Sequence, residues 1–430
     1  MVLLKCVVGY SDFANVNQEL QNLKIIYIPQ CAKGLISISQ CAKKIGITAR
    51  SVCRLKKRYA QYGDSIFVHG NTGRTPQNKR YDYNAIVEDY KKFDGTPFAS
   101  FRDDCADYLH YERVPSYTTV YNALSGAGIV SPRARIPVRE KKKHLPRKER
   151  PNEGDLVQID GCLHDWFMTG EKCTLHGAID DATHQPVALY FCRNECLLGY
   201  YKMLSLIKDK TGGFPRAIYS DRSSCFFVTK DAQATVQEQL EGMEKAETQW
   251  QKTCRELGIE LIAARSPEAK GRIERLWETL QGRLPYIFRF LGIDTMEKAN
   301  GFLADFLKGF NARFAVEAQD KELHWQAPPE GKDFDLLFSV KAEKKVRKDG
   351  HFIYHGYLFS VPAITTSGTK FTLCLSENFG LRAYRDGRYY NVELAEPLCD
   401  VAGEAMPKVE KDLLYRYFYA DTHSGWAVVG

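Results

Sequence analysis

Apolar residues recur with different spacings along the chain, and these spacings divide it into regions. Helical spacing dominates up to about residue 132, and apolar runs of strand length alternate with helices over 153–290. From Lys345 the apolar positions alternate with polar ones in short runs separated by glycine-containing turns. We therefore predict a multidomain fold, with all-α modules first, an α/β domain in the centre and a small β-barrel after it.

The order of elements predicted for the central region is informative. Three consecutive strands come before its first helix, which predicts an antiparallel meander joined to parallel units, a ribonuclease-H-like order. The predicted strands cover 156–160, 173–180, 185–192, 216–221 and 259–264. The predicted helices cover 197–210, a long stretch over 231–257, and a segment that carries Glu274.

Three acidic residues stand at the ends of these elements. Asp160 and Asp221 each end an apolar strand, and Glu274 lies on a helix that follows a Pro- and Gly-containing loop. Clustered carboxylates raise one another's pKa unless cations neutralise them, so such a site favours hard divalent metals. Rival acids remain open: the Asp180-Asp181 pair, which a turn explains better, and Glu268 or Glu278 in place of Glu274.

The N-terminal region predicts two short helices joined by a turn. The first begins near Ser37 and ends at Gly46, and Thr48 caps the second. Four cations on the second helix suit it to a DNA major groove: Arg50, Arg54, Lys57 and Arg58. A surface helical hairpin with ordinary charges is the alternative. Arg74 follows in a loop with the composition of a phosphate contact. A further capped helix, 116–125, lacks Lys and Arg, which leaves both docking by shape and simple packing open.

One linker carries the formal net charge of +7. Nine Lys and Arg residues and two Glu residues lie between Arg133 and Arg150, so the rest of the chain is formally neutral. Prolines interrupt this linker and predict an extended course. Such a block is either a solvated tether or a nucleic-acid contact. The candidate DNA-binding cations in it are Arg139, Lys141, Lys142, Lys143 and Arg147.

Composition excludes several other classes of protein. Hydrophobic residues make up 44% and charged residues 26%, values typical of a globular protein. No apolar run is long enough to span a membrane, and the N-terminus does not read as a signal peptide. Thirteen cysteines are scattered along the chain. Cys192 and Cys196 have no second cysteine pair and no histidine-rich neighbourhood in the sequence, so reduced cytoplasmic thiols are a plainer interpretation than structural zinc.

Five motifs resemble those of insertion-sequence transposases of the ISNCY group, within the wider family of DDE transposases and retroviral integrases. The likeness runs from about Asn17 to about Leu394 and includes the N-terminal helix pair. The motifs are Gln158-Ile159-Asp160-Gly161, His164-Asp165-Trp166, Ile179-Asp180-Asp181-Ala182-Thr183, Tyr219-Ser220-Asp221-Arg222 and Ser266-Pro267-x-Ala269-Lys270-Gly271-Arg272-x-Glu274-Arg275. No His/Cys zinc module precedes the central domain in the sequence, which disfavours the retroviral subclass.

The resemblance implies a polynucleotidyl transferase that cleaves and joins DNA. Its catalytic and metal-binding acids fall on Asp160, Asp221 and Glu274, which would hold two Mg²⁺ ions, with Mn²⁺ as a substitute. Lys270, Arg272 and Arg275 flank the glutamate and are expected to hold the DNA backbone. The implied partners are double-stranded DNA, as the element's terminal inverted repeats and the target, and further copies of the chain, as a dimer or larger oligomer on paired ends. A bacterial-type cytoplasmic protein associated with the nucleoid, without a membrane, is expected.

These predictions give a complete division of the chain. The predicted segments are a helix-turn-helix domain (1–78), a second helical domain (79–132), the basic linker (133–152), the catalytic domain (153–290), a helical connector (291–340), the barrel (341–400), which resembles the C-terminal barrel of integrases, and a tail (401–430). The alternative functions are a catalytically silent, transposase-derived DNA-binding regulator and a nonspecific ribonuclease-H-like nuclease.

Overall fold

The computed structural model describes residues 10–68, 81–135, 148–228, 247–264, 270–397 and Leu414. Within it the chain divides into two compact units, Met1–Asp82 and Tyr83–Gly430. None of the helices in the described ranges combines the length and apolar composition needed to cross a lipid bilayer.

The first unit is a three-helix cluster whose ends follow from local capping chemistry. Its helices are α1 (Tyr10–Ala32), α2 (Ile38–Ile45) and α3 (Ala49–Tyr62), followed by a 3₁₀ turn, Gly63–Phe67. Ser37 and Gln40 form a reciprocal capping box on α2, and Thr48 accepts the backbone N–H of Ser51 at the start of α3. The core consists of Ile28, Cys31, Cys41, Ile45 and Val52. The predicted helix pair is confirmed, and α3 ends at Tyr62.

The second unit begins with three helices that pack on the later part of the chain. These are α4 (Tyr83–Lys92), α5 (Phe98–Asp107) and α6 (Tyr117–Gly126). Arg313 makes a two-pronged ion pair with Asp107, with both N–O distances at 2.9 Å. The rings of Phe93 and Phe290 stack with centroids 4.5 Å apart. This helical segment is therefore docked by both charge and aromatic packing.

A five-stranded sheet forms the centre of the second unit. Its strands are β1 (Leu156–His164), β2 (Cys173–Asp180), β3 (Pro186–Cys192), β4 (Ala217–Ser220) and β5 (Glu260–Ala263). The strand order is β3-β2-β1-β4-β5. The pairs β1–β2 and β2–β3 are antiparallel, whereas β1–β4 and β4–β5 are parallel. The predicted meander joined to parallel strands is therefore confirmed.

Helices cover both faces of this sheet. They are α7 (Leu197–Thr211), α8 (Gln249–Glu256), α9 (Gly271–Gln281), α10 (Leu284–Leu291), α11 (Met296–Phe314) and the short α12 (Phe334–Leu337). Gly199 of α7 lies against His176, and Trp277 of α9 lies against Gly177. Consecutive strand residues point to opposite faces, so α7 and α9 lie on opposite sides of the sheet. Of the long helix predicted over 231–257, the described part is α8, and 231–246 lies outside the described residues.

The C-terminal strands form two sheets around one core. They are β6 (Val340–Lys345), β7 (His351–Tyr354), β8 (Tyr357–Ser360), β9 (Lys370–Ser376), β10 (Gly380–Arg385), β11 (Arg388–Asn391) and β12 (Glu393–Pro397). Their orders are β11-β10-β9-β6 and β12-β8-β7, with no closed sheet in the described part. The predicted barrel is not confirmed, because the described strands form two open sheets. The connection over 361–369 separates β8 from β9, and Pro362 in it has no backbone N–H with which to continue a ladder.

Candidate active site

The two aspartates lie level with each other on neighbouring parallel strands. Strand β1 pairs with β4 in the register Leu156↔Ala217 to Gln158↔Tyr219. Two residues further along each strand, this register brings Asp160 next to Asp221, which directly follows β4. Both acids therefore stand at the carboxyl end of β4, where α/β folds commonly place their ligands.

One lysine joins the two acids. Lys270 Nζ lies 2.8 Å from Asp160 Oδ1 and 4.0 Å from Asp221 Oδ2. The lysine side chain is only 9% exposed, against 19% for Asp160 and 44% for Asp221. The sequence predicts Lys270 at the DNA backbone, whereas its ammonium group lies between the carboxylates.

Helix α9 supplies further contacts to the same point. The indole Nε1 of Trp277 donates to Asp160 Oδ2 at 3.2 Å, and Gln281 Nε2 lies 3.2 Å from Cys162 Sγ. Residues 270, 274, 277 and 281 follow the three-to-four spacing of one helical stripe. Since three members of this stripe contact β1, Glu274 belongs to the side of α9 that faces Asp160, while its side chain stays exposed to solvent.

A glycine makes this helix position possible. Gly177 is the direct cross-strand partner of Asp160. A Cβ atom at this position would lie 2.3 Å from Cη2 of Trp277. The indole ring therefore occupies the space above the glycine, and from there its N–H reaches the catalytic candidate Asp160.

The chain is similar to proteins of known families. No family model matches the chain. It is 34% identical over 317 residues to the y4bF protein of Sinorhizobium fredii, which is named as a candidate transposase; the match covers 71% of this chain and 65% of that protein, just under two thirds of its length. It is 28% identical over 367 residues to the transposase for insertion sequence IS1202 of Streptococcus pneumoniae, covering 77% of this chain and 75% of the relative. The chain is thus similar to transposases, one of which serves an insertion sequence.

Two solved structures also match the present chain, at low scores. One is a chain from the simian T-cell lymphotropic virus intasome in complex with PP2A regulatory subunit B56 gamma, with 14% identity, a TM-score of 0.31 and coverage of 67% of this chain and 95% of the other. The second is from a pre-cleavage Mos1 transpososome, with 11% identity, a TM-score of 0.17 and coverage of 66% and 97%. At these scores neither likeness bears on the fold.

The rival acids of this chain have structural partners. Asp180 is fully buried and accepts the backbone N–H groups of Gly154 and Thr183, and burial raises the pKa of its carboxyl. Asp181 accepts the side chain of Gln158 at 3.0 Å and that of Arg272 at 2.8 Å. This pair therefore fixes the turn after β2, which is the interpretation that the sequence favours. Glu268 lies outside the described residues, and Glu278 lies one turn beyond Glu274 on α9.

The basic residues predicted to bind DNA occupy different settings. The basic face of α3 is formed by Arg50, Arg54, Lys57 and Arg58. Arg272 is half-buried and pairs with Asp181 and Glu149, whereas Arg275 is exposed and donates to the carbonyl of Gly271 at 3.0 Å. Their DNA contacts stay predictions. The remaining candidates lie outside the described residues: Arg74, Arg139, Lys141, Lys142, Lys143 and Arg147.

Sequence reasoning missed a fourth acid next to this site. A Cβ atom on Gly161 would lie 3.0 Å from Cγ of Glu195, so this glutamate sits against the residue that follows Asp160. Its carboxyl accepts the hydroxyl of Tyr200 at 2.5 Å. Partial burial raises the pKa of Glu195, and the negative charges of Asp160 and Asp221 raise it further. Much of the Glu195 side chain is nevertheless exposed to solvent, which screens these charges and limits the rise in its pKa. The sequence signal for this contact was Gly161, which follows Asp160 and has no side chain to keep another residue away.

Proposed function

We propose that this protein is a DNA transposase of the DDE type, which cleaves DNA at the ends of a mobile element and transfers the freed 3′-hydroxyl to a target phosphodiester. The observation that carries the proposal is the meeting of Asp160 and Asp221 at one ammonium group, with Glu274 on the helix stripe that faces them. The mixed strand order, which is that of a ribonuclease-H-like domain, supports it. So does the relationship to the IS1202 transposase.

The donor set fits the expected metal ions. Asp160, Asp221 and Glu274 offer only carboxylate oxygens, which are the ligands that Mg²⁺ prefers. The position of Lys270 Nζ, within 4.0 Å of both aspartates, already accommodates a positive charge. When bound, two Mg²⁺ ions would supply activation of the attacking oxygen and stabilisation of the leaving oxygen in an in-line phosphoryl displacement.

The chain's own residues prepare this site. Lys270 offsets part of the negative charge of the two aspartates while no divalent cation is bound. Trp277 donates to Asp160 Oδ2, which leaves the rotation of that carboxylate with little freedom. Glu274, being exposed, is open to both solvent and substrate.

End recognition belongs to the first unit in this proposal. The α2–α3 pair has the capping, turn and basic face of a helix-turn-helix, and α3 would read base edges in the major groove. Arg275 and the basic linker would hold phosphates, which position a protein on DNA without reading its sequence. We further propose that copies of the chain pair on the two element ends, and that the protein works with the nucleoid of a bacterial cytoplasm.

The experiment uses purified protein, Mg²⁺ and a duplex that carries the element's own end. We expect Asp160→Asn, Asp221→Asn and Glu274→Gln each to abolish cleavage and strand transfer, while end binding survives. Glu278→Gln is the matched control, because it makes the same change one turn along α9 and should retain activity.

Other results would contradict the proposal. End-specific binding by the wild type without any cleavage would favour the catalytically silent regulator. Cleavage of any duplex without end preference would favour a nuclease. Full activity of Glu274→Gln together with an inactive Glu278→Gln would transfer the third acid to Glu278.

A further inference from the structure

A second cluster of metal-binding side chains lies behind the catalytic sheet, on the face that α7 covers. The ligand atoms of His176, Cys192 and Cys196 all lie within 4.8 Å of one another. His176 belongs to β2, Cys192 ends β3, and Cys196 caps the N-terminus of α7. These residues are separate from the three carboxylates, and the sequence alone did not indicate that they meet.

The sheet register explains how they meet. On the antiparallel pair β2–β3, Thr174 lies opposite Cys192 and His176 lies opposite Tyr190. Residues opposite each other, and those two positions along, share a face, so His176 and Cys192 point to the same side. The three-residue turn 193–195 then returns the chain, and the backbone N–H of Cys196 donates to His176 Nε2 at 3.2 Å.

The imidazole is placed as a ligand would be. His176 is fully buried, and its Nδ1 has no hydrogen-bond partner among the described residues. Buried polar atoms nearly always have a partner, so a buried ring nitrogen without one, on an imidazole that clusters with two thiols, points to a bound ligand. Gly199 leaves room for the ring, because a Cβ atom there would lie 2.6 Å from its Cε1.

The two sulfurs are prepared in a similar way. Cys192 is 5% exposed, and Cys196 is partly buried. The backbone N–H of Gly199, in the first turn of α7, donates to the Cys196 sulfur at 3.4 Å. A sulfur at a helix N-terminus favours the thiolate, which is the form that binds metals.

We propose that His176, Cys192 and Cys196 bind one Zn²⁺ ion. Thiolate and imidazole ligands select zinc over the oxygen-preferring Mg²⁺, and three protein ligands are sufficient when a fourth position is left to water. Zn–S bonds of about 2.3 Å and Zn–N bonds of about 2.0 Å need only a small contraction of the observed cluster. The ion would tie the ends of β3 and α7 to β2.

The proposed ion has a consequence for the neighbouring catalytic acids. Glu195 lies in the turn between the two cysteines, with its side chain against Gly161. A fixed turn would therefore hold this glutamate against Gly161, the residue that follows Asp160 in β1, whereas a free turn would release it. The zinc site does not depend on the proposed transposase activity, because its residues and its test concern metal binding alone.

The test measures zinc in the full-length protein, purified in reductant and dialysed in buffer with one added equivalent of ZnCl₂. We expect one zinc per chain by elemental analysis, and a Co²⁺-substituted protein with thiolate-to-cobalt charge-transfer absorption. Cys192→Ser and Cys196→Ser should each weaken zinc binding by roughly tenfold or more. Cys254→Ser is the matched control, since Cys254 is a buried thiol of α8 outside the cluster, and its affinity should equal that of the wild type.

Three results would overturn the proposal. The first is wild-type protein that retains no more zinc than the Cys192→Ser/Cys196→Ser double variant. The second is a Co²⁺ spectrum without charge-transfer bands, which decides the matter in the wild type even where a variant fails to fold. The third is a metal-free protein in which mass spectrometry finds a Cys192–Cys196 disulfide after purification without reductant.

Discussion

Replacing Lys270 with Met tests whether its ammonium group stands in for the proposed metal ions at the candidate catalytic acids. Methionine keeps most of the apolar stem and removes the charge. At an effective dielectric constant of about 20, the attraction at 2.8 Å to Asp160 is about 6 kcal/mol before desolvation is subtracted. Asp221 adds little because it is 44% exposed and its interaction is screened by solvent.

The net effect is smaller than this attraction and depends on metal. Removing one partner of a mostly buried ion pair costs about 3–5 kcal/mol, because the remaining charge is left uncompensated. We therefore expect Lys270→Met to lose about 3 kcal/mol of unfolding free energy in buffer without divalent ions. Mg²⁺ should restore much of this loss, so the variant should gain more stability from Mg²⁺ than the wild type does, since binding to the folded state alone stabilises it.

Urea unfolding followed by tryptophan fluorescence is a suitable assay. The tryptophans of the chain lie at positions 166, 250, 277, 325 and 426, so the signal reports on the second unit. Arg275→Met is the matched control, because Arg275 is an exposed cation on the same helix whose hydrogen bond goes to the backbone carbonyl of Gly271. Equal unfolding free energies of Lys270→Met and wild type without metal, or equal gains from Mg²⁺, would refute the reasoning.

Three further predictions address DNA recognition and pH. Replacing Arg54 and Lys57 with Ala should reduce the preference for end DNA over scrambled DNA in a competition assay, by roughly 1–3 kcal/mol for each base that these side chains read; an unchanged preference would assign specificity to the 116–125 helix. Changing four linker cations to Gln should reduce the slope of log DNA affinity against log salt concentration by up to about 3.6, without altering sequence specificity. The four are Lys141, Lys142, Lys143 and Arg147. Equal slopes for the variant and the wild type would mean that the linker is only a spacer. Burial of Asp104, on α5, raises the pKa of its carboxyl from 3.8 to about 7. The protonated carboxyl is therefore favoured in the folded state, and its contribution to the free energy of unfolding is fully present below pH 3.8 and is lost as the pH rises through 7. Asp104→Asn should remove this decline, up to about 4 kcal/mol, from urea-unfolding free energies measured between pH 4 and 8; an equal decline in the variant would contradict it.

Local chemistry made much of the fold predictable. Ser37, Gly46 and Thr48 fix helix ends through contacts three or four residues away, and the apolar runs before Asp160 and Asp221 identify the strands on which the acids lie. The strand order followed from the same runs because short connections leave few ways to join a meander to parallel units. Helix ends and strands could therefore be predicted, because each depends on residues that are close together in the sequence.

Contacts between distant segments could not be predicted in this way. Lys270 and Asp160 are 110 positions apart, and their pairing depends on where α9 begins after a loop that carries no strong start signal. His176 meets Cys192 because of the β2–β3 register, and that pairing contains an irregularity between Ala178 and Ile179. A register slip of one residue would turn His176 to the other face of the sheet. The sequence therefore contained all three candidate zinc ligands without indicating that they meet.

Gly177 shows why the position of α9 against the sheet was hard to predict. A glycine inside a strand ordinarily weakens it, because it adds backbone freedom and no packing. Here the missing side chain lets Trp277 approach the sheet and donate to Asp160, the residue directly opposite the glycine. That contact fixes the rotation of α9 about its axis, and with it the side on which Glu274 projects three residues earlier. The side of α9 that Glu274 shares with Lys270 and Trp277 therefore depends on a tryptophan and a glycine, neither of which carries the chemistry of the site.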